Sequence, residues 1–472
     1  MSFMRAQFHS SSGSPTVVTG DHTMPIFARR RLRAMIDDLS ALLEPDKVKD
    51  LMSRLEHRDT ASALAAEAEL AMLWGISRVA HLEVDPSLPG SSKRPDALST
   101  SLFSSSRAVV EVRALSDDSF SGKEMMERTA NIISSFADQQ RKGSGKLLFF
   151  TFQERSYWNR RFRRERCTDP NFQLTPRLKE KLRAWISADN WTAGDCIRIT
   201  EGKTDVVVRR LQSPSPGHRI FCTMPAVAYD LEDNPIYKAL KKKSAQVKGA
   251  GENTLRCVFL IDAGCGLLRS LRPLGGAWEV GGAEIIRHAL RKLSIDSVCV
   301  FSPFRKKQLI FGYDSLGHES NLSWQVTCFD SREDILESEY SKIEKLATQL
   351  PAPRFEGYQA RDRHRQGSFD PQGRGWYLAT ELTASQDGRM TIKISSRLVQ
   401  EYLAGRMDAA TFQQQAFGKD KNYFEMELAR GNTFKDVRFE AAGNDEDDDR
   451  LIFDLDFDWG AAPLKSQNPA KT

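Results

Sequence analysis

Apolar residues recur at every third or fourth position near the start of the chain, which is the periodicity of amphipathic helices. This pattern predicts helical structure from Phe27 to Val79, with a break at Pro45. Asp59 or Thr60 is expected to cap the last of these helices, because short polar side chains can accept a hydrogen bond from a free backbone N–H of the first turn. The chain therefore begins with a helical segment.

The periodicity then changes to short apolar runs bounded by turn residues, which is typical of strands. The runs predict strands at residues 81–85, 94–100 and 108–115, a helix at 122–142 and a fourth strand at 146–152. Gly143-Ser144-Gly145 is expected to end that helix. The predicted order is helix, three strands, helix, strand, and the fold class is α/β.

The length of 472 residues suggests two to four domains at about 150 residues each. We expect a disordered tail at 1–23, a helical N-terminal segment at 24–60 and the α/β core at 61–165. A second α/β region at 166–350, which binds nucleic acid or a partner, and a C-terminal appendage at 351–472 are expected to follow. The acidic run from Asp445 to Asp449 in that appendage is predicted to be disordered, because like charges repel.

Composition narrows the class of protein only modestly. The net charge of +5 allows a nucleic-acid partner without requiring one. The seven cysteines are scattered without a C-x-x-C pair, which argues against a zinc ribbon or a disulfide framework and favours reduced thiols in a cytoplasmic protein. No apolar run approaches the roughly 18 residues of a membrane helix, so no membrane partner is expected.

Two acidic residues stand out in the predicted core. Arg94-Pro95-Asp96 begins the second strand, and Glu111-Val112-Arg113 lies in the third. Adjacent strands lie about 5 Å apart, so Asp96 and Glu111 can converge on one divalent cation. Pro-Asp and Glu-x-Arg also occur by chance at strand ends, so the pair alone leaves a purely structural role open.

The two segments and the order of elements resemble the PD-(D/E)XK, or restriction-endonuclease-like, nuclease superfamily. The resemblance implies an endonuclease that depends on Mg²⁺ or Mn²⁺ and cleaves DNA, less readily RNA. It implies that Asp96, Glu111, the Val112 carbonyl and Glu69 of the preceding helix hold the metal. Glu67 and Glu69 point to different sides of a helix, so only one can face the site, and Glu69 is preferred because it directly precedes Leu70 on the side shared with Leu73. By analogy, such an enzyme would be a bacterial antiviral defence effector.

Arginine occupies position 113, where the family usually has lysine. Arg113 can stabilise the charge of the scissile phosphate, but it stays protonated and cannot act as a general base. Lys123 is an alternative source of an amine. The departure leaves a second interpretation open, in which the fold is catalytically inactive and serves as a nucleic-acid-binding or assembly subunit. A protein partner or a homo-oligomer is also left open.

Two basic stretches are candidates for contacts with a phosphate backbone. The first interleaves arginines with aromatic residues that can stack on bases. The second lies on the helix predicted for residues 236–248. A solvated helix with an aromatic anchor in the core is an equally simple interpretation of the first stretch, and for the second a charged helix face is slightly favoured. The candidate nucleic-acid-binding residues are Arg160, Arg161, Arg163, Arg164, Lys241, Lys242 and Lys243.

Overall fold

The computed structural model describes residues 26–458, except 58, 89–93, 104–106, 118–122, 160, 189–191, 214–219, 223–226, 252, 274, 276–277, 306–321, 332–339, 359, 361–376, 379, 386–388 and 419–421. The predicted tail at 1–23 therefore lies outside the described residues. Within these ranges, no helix has both the length and the apolar character needed to cross a membrane.

Helices and strands are numbered in chain order. The helices are α1 (Arg29–Leu39), α2 (Pro45–Leu55), α3 (Thr60–Val79), α4 (Lys123–Gln140), α5 (Pro176–Ile186), α6 (Pro235–Val247), α7 (Gly266–Ser270), α8 (Gly282–Lys292), α9 (Ser341–Gln349), α10 (Ser396–Leu403), α11 (Ala409–Phe417) and α12 (Tyr423–Ala429). The strands are β1 (Glu83–Val84), β2 (Ala97–Ser99), β3 (Arg107–Leu115), β4 (Leu148–Phe152), β5 (Glu154–Asn159), β6 (Arg161–Arg166), β7 (Cys196–Glu201), β8 (Thr204–Arg210), β9 (Ile220–Cys222), β10 (Thr254–Asp262), β11 (Ser297–Arg305), β12 (Leu322–Asp330), β13 (Glu381–Ala384), β14 (Met390–Ser395), β15 (Asn432–Glu440) and β16 (Arg450–Phe457).

The three N-terminal helices confirm the periodicity and the capping predicted for them. Pro45 is the first residue of α2, where its missing N–H costs no helical hydrogen bond. Asp59 caps α3 by accepting a hydrogen bond of 2.9 Å from the Ser62 N–H. Helix α3 is buried over most of its length, because α1 and α2 cover one side and the main sheet lies on the other.

The main sheet has six strands in the order β1-β2-β3-β10-β11-β12. Strands β1 to β3 are antiparallel, β3, β10 and β11 are parallel, and β12 is antiparallel to β11. On one face, Val110 and Val112 pack in the core that contains α3 and α9. On the other face, Leu115 and Leu260 pack in the core that contains α6 and α8. The fold is therefore α/β, with a sheet of mixed parallel and antiparallel strands between two layers of helices.

The prediction that residues 146–152 form the fourth strand of this sheet was wrong. Strand β4 belongs to a separate sheet with the order β7-β8-β4-β9, and β10 lies parallel to β3 in its place. The helix that precedes the fourth strand of the main sheet, β10, is correspondingly α6 and not α4. Strand β10 contains the continuous buried run Val258–Ile261, as expected of a parallel strand covered on both faces, whereas every second residue of β4 is only partly buried.

Residues 123–222 form an inserted module between β3 and α6. Helices α4 and α5 pack on its sheet around a core of their own, which includes Ile133, Phe150 and Leu182. Strands β5 and β6 form a hairpin beside it. The predicted boundary at residue 165 therefore does not follow the sheets, because the main sheet draws its strands from both sides of the module.

A third unit, the C-terminal sheet, has the order β13-β14-β16-β15 and packs with α10 to α12. The acidic run Asp445–Asp449 joins β15 to β16 and is ordered, so the prediction of disorder was wrong. Asp447 accepts hydrogen bonds of 3.1 and 3.2 Å from the backbone N–H groups of Arg29 and Arg30 at the start of α1. The repulsion within the run is offset by these donors and by the arginine side chains around it.

Candidate active site

Asp96 and Glu111 meet at the junction of β2 and β3. Ala97 lies opposite Val110 in the antiparallel register, which places the preceding residue, Asp96, beside Glu111. The Asp96 Oδ2 atom accepts a hydrogen bond of 2.7 Å from the Val112 N–H. The structure thus brings together the two carboxyl groups that the sequence singled out.

A third residue, Lys243 of α6, joins the two carboxyl groups. Its Nζ lies 3.3 Å from Asp96 Oδ2 and also donates to Glu111 Oε2. Its side chain is 12% exposed, compared with 15% for Asp96 and 0% for Glu111. An ammonium group is therefore held between two carboxyl groups, largely out of water.

The helical pattern explains why Lys243 points inward. Ile236, Leu240 and Val247 are buried on the side of α6 that faces the sheet. Residue 243 follows 240 by three positions and precedes 247 by four, so it lies on the same stripe. Val247 packs against Val109, two residues before Glu111 on β3. The apolar contacts on either side of Lys243 fix its position over the carboxyl groups.

The electrostatics of the pair favour a cation or a proton beside Glu111. Burial, followed by the nearby charge of Asp96, raises the pKa of Glu111 to about 8, while the Lys243 ammonium acts in the opposite direction. Among the described residues, Glu111 Oε1 has no hydrogen-bond partner. A buried acceptor beside a second carboxyl group is costly unless a cation or a proton satisfies it.

The residues present fit a hydrated divalent cation. Mg²⁺ is usually held by one or two carboxylates and keeps several waters, so Asp96 and the free Oε1 of Glu111 suit it. The described part of the chain contains no group of three or more His, Cys, Asp or Glu residues arranged for a metal. Any site here therefore depends on two carboxylates and water. Val112 contributes its N–H to Asp96, and the role of its carbonyl stays a prediction.

Glu69 forms its hydrogen bonds with side chains of α2 and not with the Asp96–Glu111 pair. Its two oxygens lie 2.8 Å from Lys47 Nζ and 2.8 Å from Arg54 Nη1, both on α2. Burial alone would raise the pKa of Glu69, but the hydrogen bonds and charges of Arg54 and Lys47 hold it below the usual value. The rival, Glu67, is fully buried and accepts hydrogen bonds from the backbone of Ile26 and Phe27. The assignment of Glu69 as a metal ligand stays a prediction, and its observed contacts are with α2.

Arg113 lies two residues after Glu111 on β3, so both side chains leave the same face of the strand. It is partly buried, and its Nε has no hydrogen-bond partner within the described ranges. The role of Arg113 at a scissile phosphate stays a prediction. The Lys123 side chain lies outside the described residues, and the amine that the structure places at the site comes from Lys243.

The first basic stretch turns partly toward acidic residues of the protein itself. Arg163 lies 3.3 Å from Asp233, and Arg164 pairs with Glu154 and donates to the Tyr229 hydroxyl. Arg160 and the side chain of Arg161 lie outside the described residues. Nucleic-acid binding by these four arginines stays a prediction.

The second basic stretch divides between two faces of α6. Lys241 and Lys242 are exposed on its outer face, whereas Lys243 is directed into the carboxyl pair. Lys243 was expected to contact a phosphate backbone, and its place in the site was missed. The spacing from Leu240 to Val247 was the available indication, because it places residue 243 on the buried stripe.

Comparison of the chain with models of protein families, with curated proteins and with solved structures finds no match. The geometry of Asp96, Glu111 and Lys243 is therefore the basis on which a function can be argued.

Proposed function

We propose that this protein is a metal-dependent phosphodiesterase that cleaves nucleic acid, with DNA as the preferred substrate. The observation that supports the proposal best is the convergence of Asp96, Glu111 and Lys243 at one end of the β2–β3 pair. Two carboxyl groups and an amine are the side chains that a PD-(D/E)XK nuclease brings together. In this chain the amine belongs to a helix and not to the strand of the glutamate.

The order of elements around the site supports the same proposal. Helix α3, strands β1 to β3, helix α6 and strand β10 follow one another as helix, three strands, helix, strand once the inserted module is set aside. Strands β1, β2, β3 and β10 are also consecutive neighbours in the sheet. This order supports the proposal, with α6 as the second helix and β10 as the fourth strand.

Each residue has a distinct task in this proposal. A bound divalent cation would neutralise phosphate charge and lower the pKa of an attacking water. Asp96 and Glu111 hold the cation, and the Val112 N–H fixes the orientation of Asp96. Lys243 has three N–H donors and can orient the water or a phosphate oxygen beside the carboxyl pair. Arg113 supplies a permanent positive charge for the phosphate on the same strand face.

One observation favours a second candidate function. The Lys243 ammonium contacts both carboxyl groups, so it can offset the charge of one of them without a metal, and a proton on Glu111, whose pKa is raised to about 8, can offset the other. In that case the fold binds nucleic acid or assembles with a partner but does not cleave. The two candidates differ in whether Lys243 assists a metal ion or takes its place.

Cleavage assays on the full chain test the first candidate. We expect Asp96→Asn and Glu111→Gln to abolish Mg²⁺- or Mn²⁺-dependent cleavage while DNA affinity is kept, because affinity comes mainly from phosphate contacts. Asp85→Asn is the matched control. Asp85 donates its N–H to the Asp96 carbonyl at 3.3 Å, pairs with Lys47 and has a φ of 48°, which asparagine tolerates.

Loss of cleavage in Asp96→Asn but not in Asp85→Asn supports the enzyme. Equal cleavage by the wild type and Asp96→Asn would exclude the site. Salt-sensitive DNA binding without cleavage of any DNA or RNA substrate would favour the second candidate.

A further inference from the structure

A cavity of about 460 Å³ lies on the helix-covered face of the main sheet that also bears Glu111. It opens beside β11 and β12, between α8 and the segment that contains α7. Its walls come from Leu268 to Arg272 and from Ala283 and Arg287 of α8, and its floor comes from the two strands. No part of the carboxyl site lines it.

The floor of the cavity is polar where the rest of this face is apolar. Ser302 lies opposite Gln325 in the β11–β12 ladder, and Val300 lies opposite Thr327. Neighbouring positions on the same face, such as Val298, pack in the core with α8. Two hydroxyl groups and an amide therefore face a space that apolar side chains would otherwise fill.

Three arginines surround this polar floor: Arg269, Arg272 and Arg287. Arg269 is held at 2.6 Å by Glu356, and the Arg287 guanidinium lies 5.5 Å from the centre of the Phe329 ring. Among the described lining residues there is no aspartate or glutamate. The cavity therefore combines several cationic groups and hydrogen-bond donors with no lining carboxylate.

We propose that this cavity binds a phosphate-bearing ligand of nucleotide size. Guanidinium groups recognise phosphate oxygens by paired hydrogen bonds, and the Thr327 hydroxyl and the Gln325 amide can donate to the same oxygens, whereas the Ser302 hydroxyl donates to the Leu268 carbonyl. The volume falls within the range of about 300–1,000 Å³ that small-ligand pockets occupy. The phosphate can belong to a free nucleotide or to a nucleotide within a strand, and the two sources share this chemistry.

Binding measurements on the full chain test the proposal, with EDTA present so that no cleavage takes part. The probes are adenosine 5′-diphosphate by calorimetry and a fluorescein-labelled 12-nucleotide single-stranded DNA by anisotropy. We expect Arg287→Gln and Arg272→Gln to weaken binding of at least one probe about 10-fold or more, the usual effect of losing a hydrogen bond to a charged group. Gln325→Glu should weaken it similarly, because it places a negative charge on the floor with almost no change of shape.

Arg291→Gln is the matched control, since Arg291 is exposed one turn further along α8 and does not line the cavity. It should change affinity less than about 2-fold, within the range of a screened surface charge. An effect on diphosphate binding identifies a free nucleotide as the ligand, and an effect confined to the oligonucleotide identifies a strand. The proposal is overturned if the wild type binds neither probe. It is also overturned if Arg291→Gln loses as much affinity as Arg287→Gln and Arg272→Gln. Because the probes are measured without metal, this outcome is independent of whether the Asp96 site cleaves.

Discussion

Replacing Lys243 with methionine separates the two candidate functions most directly. The change removes the ammonium but keeps an unbranched side chain on the buried stripe of α6. The Nζ lies 3.3 Å from Asp96 Oδ2, where two unit charges attract by about 5 kcal/mol at an effective dielectric constant of 20. Burial of the ammonium offsets part of this attraction. A preorganised donor of this kind contributes about 3–4 kcal/mol to the transition state, so we expect cleavage to fall about 10²- to 10³-fold.

The assay is single-turnover cleavage of labelled duplex DNA with Mn²⁺ or Mg²⁺, together with metal binding measured by calorimetry. Lys238→Met is the control, because Lys238 is exposed on α6, its replacement removes the same charge, and it is not among the candidate nucleic-acid-binding residues. Lys243→Met should still bind the metal, since both carboxyl groups remain. Cleavage at the wild-type rate would refute a catalytic role for Lys243. A gain of metal binding and of cleavage would show that the lysine takes the place of the metal in the natural protein.

Three further predictions concern Glu67, Asp447 and Arg113. Burial raises the pKa of Glu67 to about 8 from an ordinary 4.5, so the folded state binds more protons than the unfolded state and stability falls as pH rises through that window. Glu67→Gln should remove this pH dependence. Measured by urea unfolding, its free energy of unfolding relative to the wild type should rise by about 3–5 kcal/mol between pH 5 and pH 8.5. Parallel plots of unfolding free energy against pH for the two proteins would contradict the assignment. Asp447→Asn should weaken the contact of the acidic run with α1 by about 1 kcal/mol, seen as faster hydrogen exchange in α1, and unchanged exchange would show that the contact contributes nothing. Arg113→Ala should lose about 3–4 kcal/mol of transition-state stabilisation, and Arg113→Lys should keep most of that stabilisation. The cleavage rates of both variants are measured side by side with that of the wild type. Equal rates for all three proteins would exclude a role for the charge of Arg113.

Local patterns predicted much of the structure because they depend on neighbouring residues. The helical period, the Asp59 cap and the meeting of Asp96 with Glu111 all follow from spacings of a few positions or from one strand pair. The inserted module could not be recognised in this way, since β4 and β10 are both plausible strands and only tertiary packing decides which lies beside β3. Lys243 was hidden by the same long separation, because it lies 132 positions after the glutamate that it contacts.

The acidic run illustrates a different limit. Five adjacent acidic residues repel one another, and composition alone predicts that such a run stays solvated. Their partners include the α1 residues Arg30 and Arg31, more than 400 positions earlier in the chain. Charge complementarity over that distance does not appear in any local window.

The interruption of the core by the inserted module also sets the order in which a working site can arise during synthesis. Glu111 leaves the ribosome first, and Lys243 follows 132 residues later, which at about 5–20 residues per second is a delay of roughly 7 to 26 s. Strand β10, which lies beside β3, is made later still. A product released within the module has both carboxyl groups but neither the lysine nor the strand that supports them. Under the proposed function, an unfinished chain is therefore harmless to the nucleic acid of the cell that makes it.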